Sequence, residues 1–149
     1  MKILLVCSSG GHLSQLMCLE DWWVGHERAW VTFDTVDAVS KLAGERVTYA
    51  HHPTTRNIPN LLRNTVVAWR TMREFRPDVV VSTGAAVAVP FFWMRRFFGV
   101  RSVFLEVFDR IDSRTLTGRL CLPFSDLFLV QWPEQQKLYR SSVLLGGVW

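Results

Sequence analysis

The chain has 149 residues, of which 49% are hydrophobic and 20% are charged, and its formal net charge is +4. This length fits a single domain, and so apolar a composition excludes an intrinsically disordered chain. The three cysteines form no CxxC pair, so neither a disulfide framework nor a metal site is indicated, and no apolar run approaches the ~20 residues that a membrane-spanning helix needs.

Short apolar runs alternate with segments of helical periodicity along the whole chain. They predict strands at residues 3–7, 29–33, 46–50, 78–82, 103–106, 127–130 and 143–145. The intervening patterns predict helices at residues 12–23, 36–43, 59–75, 90–98 and 115–122, and a last helix that begins at residue 133. This alternation indicates an α/β fold with a Rossmann-like, mostly parallel sheet and helices on both faces. No linker or repeat interrupts it, so residues 1–149 are predicted to form one domain.

Polar residues concentrate in the loops that follow predicted strands. In an open parallel sheet, ligands bind beyond the carboxyl ends of the strands. The informative loops at that edge begin at Ser8, His51, Thr83 and Glu106. We therefore expect any functional site to be assembled from these loops.

The segment Ser9-Gly10-Gly11-His12 joins the first predicted strand to the first helix. Two glycines let a backbone approach a phosphate closely, and a helix N-terminus attracts anions. The segment matches neither the GxGxxG pattern nor a P-loop, so a tight structural turn remains an alternative. His12 lies in the first helical turn and is a candidate general base or a donor to phosphate.

A second group of candidate residues follows the fifth predicted strand. Glu106 there is a candidate acid or base, or a binder of hydroxyl groups, and Arg110 is suited to phosphate. A local cluster of ion pairs among the charged residues of this loop is the alternative.

The helix predicted at 90–98 carries aromatic residues on nearly all sides and two adjacent arginines. This pattern is typical of a helix at a membrane interface, where arginine side chains reach lipid phosphates. A surface for a protein partner fits equally well, and a buried helix is the third interpretation. The residues predicted to face a membrane or a partner are Phe91, Phe92, Trp93, Arg95, Arg96 and Phe97.

Basic charge is concentrated in two segments. Residues 46–76 contain six arginines and one glutamate, and residues 95–119 contain six arginines and three acidic residues. Attraction to anionic lipid is one interpretation, and an ordinary solvated surface is the other. No nucleic-acid recognition motif is present, so no nucleic-acid partner is predicted.

Several short motifs occur together and span essentially the full chain. They are Ser9-Gly10-Gly11-His12, Ser82-Thr83-Gly84, Glu106 with Arg110, Leu116-Thr117-Gly118-Arg119-Leu120, and Gln131-Trp132-Pro133. In this combination they resemble the Alg14-like oligosaccharide biosynthesis family, which includes bacterial polysaccharide homologues of the PssD type. The triplet Gln131-Trp132-Pro133 is the narrowest part of the resemblance.

This resemblance implies a fold like the N-terminal half of GT-B glycosyltransferases, such as the enzyme that makes peptidoglycan lipid II. It implies an accessory, acceptor-binding subunit of a two-chain glycosyltransferase in capsule, exopolysaccharide or lipid-linked oligosaccharide synthesis. The catalytic partner would hold the nucleotide sugar, expected to be a UDP-sugar, and this chain would bind no cofactor. The polyprenyl-diphosphate-linked acceptor would meet Ser9, Gly10, Gly11, Thr83, Gly84 and Arg110, with His12 or Glu106 as candidate catalytic residues.

The expected location is the cytoplasmic face of a membrane, held peripherally, because neither a signal peptide nor a spanning helix is evident. Two other functions remain open. One is a stand-alone module that binds nucleotides or phosphate, and the other is a membrane-recruitment adaptor without a part in the chemistry.

Overall fold

The computed structural model describes residues 1–148, and its centre is one sheet of seven strands. Every pairing between neighbouring strands is parallel, and the order is β3-β2-β1-β4-β5-β6-β7. The strands are β1 (Lys2–Val6), β2 (Glu27–Phe33), β3 (Val47–Ala50), β4 (Val79–Ser82), β5 (Arg101–Leu105), β6 (Leu127–Val130) and β7 (Val143–Leu144). All seven predicted strands are confirmed, and the sheet is wholly parallel in the part of the chain described.

Helices connect the strands and cover both faces of the sheet. They are α1 (Gly11–Met17), α2 (Glu20–Trp23), α3 (Val36–Lys41), α4 (Ile58–Phe75), α5 (Ala88–Phe98), α6 (Leu116–Cys121) and α7 (Pro133–Leu138). A single 3-10 turn, Leu122–Phe124, follows α6. No helix within residues 1–148 is long and apolar enough to cross a membrane.

The helix predicted at 12–23 is two short helices in the structure. The break lies where Leu19 N–H bonds to the carbonyl oxygen of Leu16 at 3.1 Å. The same carbonyl accepts a hydrogen bond from the buried indole of Trp23 at 2.8 Å. Burying Trp23 with its N–H satisfied therefore requires the chain to turn, and helical periodicity alone does not reveal that turn.

The core has one apolar layer on each face of the sheet. On one face, Leu4 and Val6 of β1 pack in a cluster with α4 and α5; on the other, Ile3 and Leu5 pack with Leu13 and other residues of the first three helices. Buried on both faces, β1 is apolar throughout Ile3–Val6, as central parallel strands are.

The outward-facing prediction for α5 is wrong for Phe91, Phe92 and Arg95. Phe91 and Phe92 are fully buried, and the Phe92 ring meets Phe104 of β5 at a centroid distance of 5.7 Å. Arg95 is held by Asp126 through an ion pair of 2.7 Å. The helical repeat turns these positions toward the sheet and the β5–β6 side, whereas Trp93, Arg96 and Phe97 remain on the exposed side.

Candidate functional site

The sheet changes direction of winding between β1 and β4, which lie side by side at its centre. The loops after these strands diverge to opposite faces and leave a crevice, as in other doubly wound sheets. A cleft of about 650 Å³ lies there and is lined by loops that follow β1, β3, β4 and β5. The lining residues are Ser8, His12, Thr54, Thr55, Arg56, Gly84, Ala85, Ala86, Glu106, Val107, Asp109, Arg110, Thr115, Leu116 and Thr117.

His12 is half-buried at the wall of this cleft. Its Nδ1 lies 2.8 Å from the carbonyl oxygen of Thr83, and the Thr83 hydroxyl donates to the carbonyl oxygen of His12 at 2.8 Å. A carbonyl oxygen only accepts, so Nδ1 carries the proton and Nε2 keeps a lone pair. Burial lowers the pKa of His12, while the bond to Thr83 and the charge of Asp109 oppose that shift. At neutral pH the ring is therefore an uncharged imidazole whose Nε2 can accept a proton.

Thr83 positions His12, and this differs from its predicted role as a ligand contact. The residue is fully buried, and both its hydroxyl and its carbonyl are engaged with His12. The next residue, Gly84, lines the cleft and has a φ of +115°. A Cβ at Gly84 would lie 3.1 Å from His12 Cε1, so both its backbone conformation and the approach of the imidazole favour glycine.

The Ser9-Gly10-Gly11 turn lies outside the residues that line the cleft. The Gly10 N–H donates to the Asp37 carboxylate at 2.9 Å, and the Thr35 hydroxyl donates to the same carboxylate at 2.6 Å. These two bonds lower the pKa of Asp37. The amide predicted to meet a phosphate is thus engaged with an internal anion, and Ser8 rather than Ser9 reaches the cleft.

Glu106 is a buried anchor beneath the cleft, only 1% exposed. Its carboxylate accepts from the Tyr139 hydroxyl, from the Thr115 hydroxyl at 3.0 and 3.1 Å, and from the Val107 N–H at 3.1 Å. Burial raises the pKa of Glu106, and these hydrogen bonds act against the rise. Because the carboxylate oxygens already have these donors, the geometry favours an anchoring role over the predicted role as base.

Gly118 explains why glycine stands in the Leu-Thr-Gly motif. A Cβ there would lie 2.7 Å from the Tyr139 hydroxyl and 2.8 Å from Thr115 Oγ1, and closer still to a carboxylate oxygen of Glu106. Thr115 caps α6 by accepting from the Gly118 N–H at 2.9 Å. The motif therefore brings α6 close enough to close the hydrogen-bond network around Glu106.

The Gln131-Trp132-Pro133 triplet holds the loop that carries Asp109 and Arg110. Gln131 Nε2 donates to the carbonyl of Glu106 at 2.9 Å, and the Trp132 indole donates to the carbonyl of Phe108 at 2.7 Å. Pro133 begins α7, and Gln135 on its first turn donates to the carbonyls of Val107 at 2.6 Å and Arg110 at 3.1 Å. We call this set of bonds the glutamine clasp.

Two charged residues of the cleft were not among the predicted site residues. Asp109 lines the wall near His12, and Arg56 lines the cleft from the loop after β3. Asp109 lies in the same charged loop as Glu106, so the sequence already indicates it as a possible site residue. Arg56 is recognisable only once the fold brings its loop to this edge. Arg110, which is predicted to bind phosphate, also lines the cleft.

An exposed apolar face runs across α4, α5 and α6. On α4 it repeats at helical spacing, and its most exposed member there, Ile58, is 70% exposed. On α5, Phe97 is 79% exposed, and the Trp93 indole donates to the carbonyl of Leu120 at 3.2 Å, which joins α5 to α6. The members are Ile58, Leu62, Val66, Trp69, Trp93, Phe97, Leu116 and Leu120. Leu116 also lines the cleft, so the apolar face reaches its mouth.

No three His, Cys, Asp or Glu side chains within residues 1–148 are grouped so as to hold a metal ion. The cleft itself combines a neutral imidazole, a carboxylate on Asp109 and the guanidinium groups of Arg56 and Arg110. Such a set of side chains is suited to proton transfer beside an anionic ligand.

A wholly parallel sheet with a cleft at its switch point defines a Rossmann-like domain. Its fold is similar to that of MurG from Acinetobacter baumannii, with a TM-score of 0.71 that covers 99% of this chain and 44% of that chain. The sequence identity is 15%, so this likeness concerns the fold.

The model of the family described as "Oligosaccharide biosynthesis protein Alg14 like" matches residues 34–148, and the chain belongs to this family. The UDP-N-acetylglucosamine transferase subunit alg14 of Schizosaccharomyces pombe is 35% identical over 77 residues, which cover 48% of this chain and 37% of that one. The corresponding ALG14 subunit of Mus musculus is 22% identical over 99% of this chain and 83% of its own. The resemblance predicted from the motifs is confirmed.

Proposed function

We propose that this chain is the acceptor-binding, accessory subunit of a two-chain glycosyltransferase that works at a membrane surface. The observation that carries the proposal is that a polar cleft with a basic imidazole opens beside an exposed apolar face. A lipid-linked sugar has both kinds of surface, since its sugar and diphosphate are polar and its tail is apolar. Relatives named as subunits of a UDP-N-acetylglucosamine transferase support the proposal.

In the proposed reaction, His12 takes the proton from the acceptor hydroxyl at Nε2. The hydroxyl oxygen then forms a bond to the anomeric carbon of the donor sugar, and the bond from that carbon to UDP breaks. The Nδ1–H bond to Thr83 holds the ring with Nε2 available and stabilises the imidazolium that forms. The catalytic chain would hold the UDP-sugar, and the naming of relatives as subunits of a UDP-N-acetylglucosamine transferase supports this division.

Arg56 and Arg110 would bind the diphosphate of the acceptor. They lie on different loops of the cleft, and guanidinium groups suit bidentate contact with phosphate oxygens. The engaged Gly10 amide speaks against the alternative of a stand-alone phosphate-binding module built on the glycine turn.

The apolar face would rest on the membrane that holds the acceptor. Arg63 and Arg70 are exposed on α4, and Arg96 is exposed on α5. These three side chains would meet lipid phosphates. This assignment keeps the membrane contact predicted for α5 and for the arginine-rich segment of α4, and it adds α6. A capsule, exopolysaccharide or lipid-linked oligosaccharide would be the product.

The test of the chemistry is sugar transfer by the chain co-expressed with its catalytic partner. Loss of a general base lowers the rate by about 100-fold or more, so we expect that effect in His12→Gln. His51→Gln is the matched control, because His51 lies in an exposed loop outside the cleft. Full activity of His12→Gln would leave the adaptor function as the better account.

The test of the membrane contact is sedimentation with phospholipid vesicles. Leu62→Glu places a charge in the apolar face and should reduce binding about tenfold or more. Val36→Glu is the matched control, since Val36 is at least as exposed but belongs to α3 on the opposite face of the sheet. Equal binding by both variants would contradict the assignment.

A further inference from the structure

A second cavity, of about 700 Å³, lies at the edge of the sheet opposite the cleft. It forms where α4 and α5 end and where β4 and β5 begin. The proposed transfer reaction uses none of its charged residues. Its lining residues include three arginines, Arg73, Arg76 and Arg101.

These three guanidinium groups have no ion-pair partner in the part of the chain described, whose ion pairs are Lys2–Glu27, Arg28–Glu45 and Arg95–Asp126. All three residues are exposed. The negative groups that face them are the carboxylate of Asp78 and the partial charges at the C-terminal ends of two helices. Asp78 already accepts the backbone N–H of Lys2 at 2.6 Å. The cavity therefore keeps an excess of positive charge.

The cavity is continuous with the apolar face. Phe97, the most exposed aromatic residue of that face, lines the cavity together with Phe98. Phe98 packs edge-on against Trp69 of α4 with a centroid distance of 4.9 Å. Positive charge and exposed aromatic surface thus meet at one rim, as they do where a protein enters the headgroup layer of a bilayer.

The lining also indicates which anion fits. Arginine suits the bidentate geometry of phosphate oxygens. No Ser, Thr, Asn or Gln side chain lines the cavity to read a sugar or a base, so a nucleotide would find no specific polar contact apart from Asp78. A phosphate attached to an apolar tail satisfies both the arginines and the aromatic rim.

We propose that this cavity binds the phosphate of an anionic membrane lipid, while Phe97 enters the apolar layer beside it. The proposal deepens the membrane contact put forward above and rests on it for the orientation of the chain. The cavity would add a selectivity for anionic lipids to the general attraction that the exposed Arg63, Arg70 and Arg96 exert on lipid phosphates.

The test compares vesicles of phosphatidylcholine with vesicles that also contain phosphatidylglycerol. Arg73→Gln/Arg101→Gln removes two charges from the cavity, and Lys137→Gln/Arg140→Gln removes two exposed charges from α7 and the residues just after it. Thermal unfolding checks that both variants are folded. We expect the cavity variant to lose about tenfold in binding to the anionic vesicles and the control to lose less than twofold. Equal losses would reduce the effect to unspecific charge attraction and overturn the proposal.

Two further measurements separate the possible sources of phosphate and the two proposals. Soluble glycerol phosphate should compete weakly with anionic vesicles for the cavity. If inorganic phosphate binds the cavity but vesicle binding is the same with and without the arginines, the site is for a soluble anion and the proposal is wrong. Sugar transfer to a detergent-solubilised acceptor should be unchanged in Arg73→Gln/Arg101→Gln and lost in His12→Gln. A failure of the transfer proposal would therefore appear without any change in lipid selectivity.

Discussion

Gly118 offers the sharpest test of the network around Glu106. In Gly118→Ala the added methyl group would meet the Tyr139 hydroxyl at 2.7 Å and Thr115 Oγ1 at 2.8 Å, with a Glu106 oxygen closer still. The Tyr139 hydroxyl ends a rigid ring, Thr115 has a short side chain, and the Glu106 carboxylate is held in place by its three donors. Glu106 and Tyr139 are buried, so relief requires α6 to move away from β5.

The magnitude follows from three contributions. Overpacking a filled site costs about 1–3 kcal/mol. Leaving a buried carboxylate oxygen without its donor costs about 1–3 kcal/mol more. Alanine is a better helix former than glycine, which offsets about 1 kcal/mol of this loss of stability. We expect the free energy of unfolding to fall by about 3 kcal/mol, which for a chain of this size lowers Tm by about 6–12 °C.

The assay is urea and thermal unfolding followed by circular dichroism. Gly25→Ala is the matched control, because a Cβ at Gly25 meets nothing within 4 Å and its φ is not positive. It should leave the free energy of unfolding within about 0.5 kcal/mol of the parent. If Gly118→Ala is as stable as Gly25→Ala, the close network around Glu106 does not exist in solution.

Three other outcomes are expected. Thr83→Val removes the donor to the His12 carbonyl and should lower the unfolding free energy by about 1–3 kcal/mol, whereas Thr83→Ser should restore most of it; urea titration distinguishes them. Gln135→Glu removes the two hydrogen bonds that the Gln135 amide donates in the glutamine clasp, and hydrogen exchange of residues 107–110 should then accelerate while the strands stay protected. Because the folded state lowers the pKa of His12 below its usual 6.5, His12 protonates more readily in the unfolded chain. Stability should therefore fall with decreasing pH between 6.5 and the lower folded pKa, and His12→Gln should flatten this part of the pH–stability curve.

Most of the fold follows from local patterns. The strand at 127–130 is predicted with its observed bounds because Leu127–Val130 is an unbroken apolar run between polar loops. Helix α5 ends as predicted at Gly99, which has a φ of 65°. The helix starts at Ala88, two residues before the predicted start at Pro90. Proline is tolerated there because the N–H groups of the first helical turn have no partner within the helix.

The candidate site follows from the sequence only in part, because its geometry depends on contacts between distant segments. His12 and Glu106 reach the cleft since both follow parallel strands. The pairing of Thr83 with His12 spans 71 positions, and that of Tyr139 with Glu106 spans 33. No local pattern distinguishes Tyr139 from an ordinary core aromatic residue. Similarly, the Gln131 side chain looks like a surface amide until the fold buries it beneath the loop it holds.

The strand order has a consequence for how the chain is made. β1 is at the centre, β2 and β3 add outward on one side, and β4, β5, β6 and β7 add outward on the other. Each strand that emerges from the ribosome therefore finds an existing edge to pair with, and no earlier pairing must open to admit it. Growth of this kind suits synthesis at ~5–20 residues per second, in which N-terminal parts fold first. β7 is the last of the described strands to be synthesised, and it pairs with β6 at the outer edge of the sheet. Its Val143 and Leu144 therefore stay half-exposed at that edge.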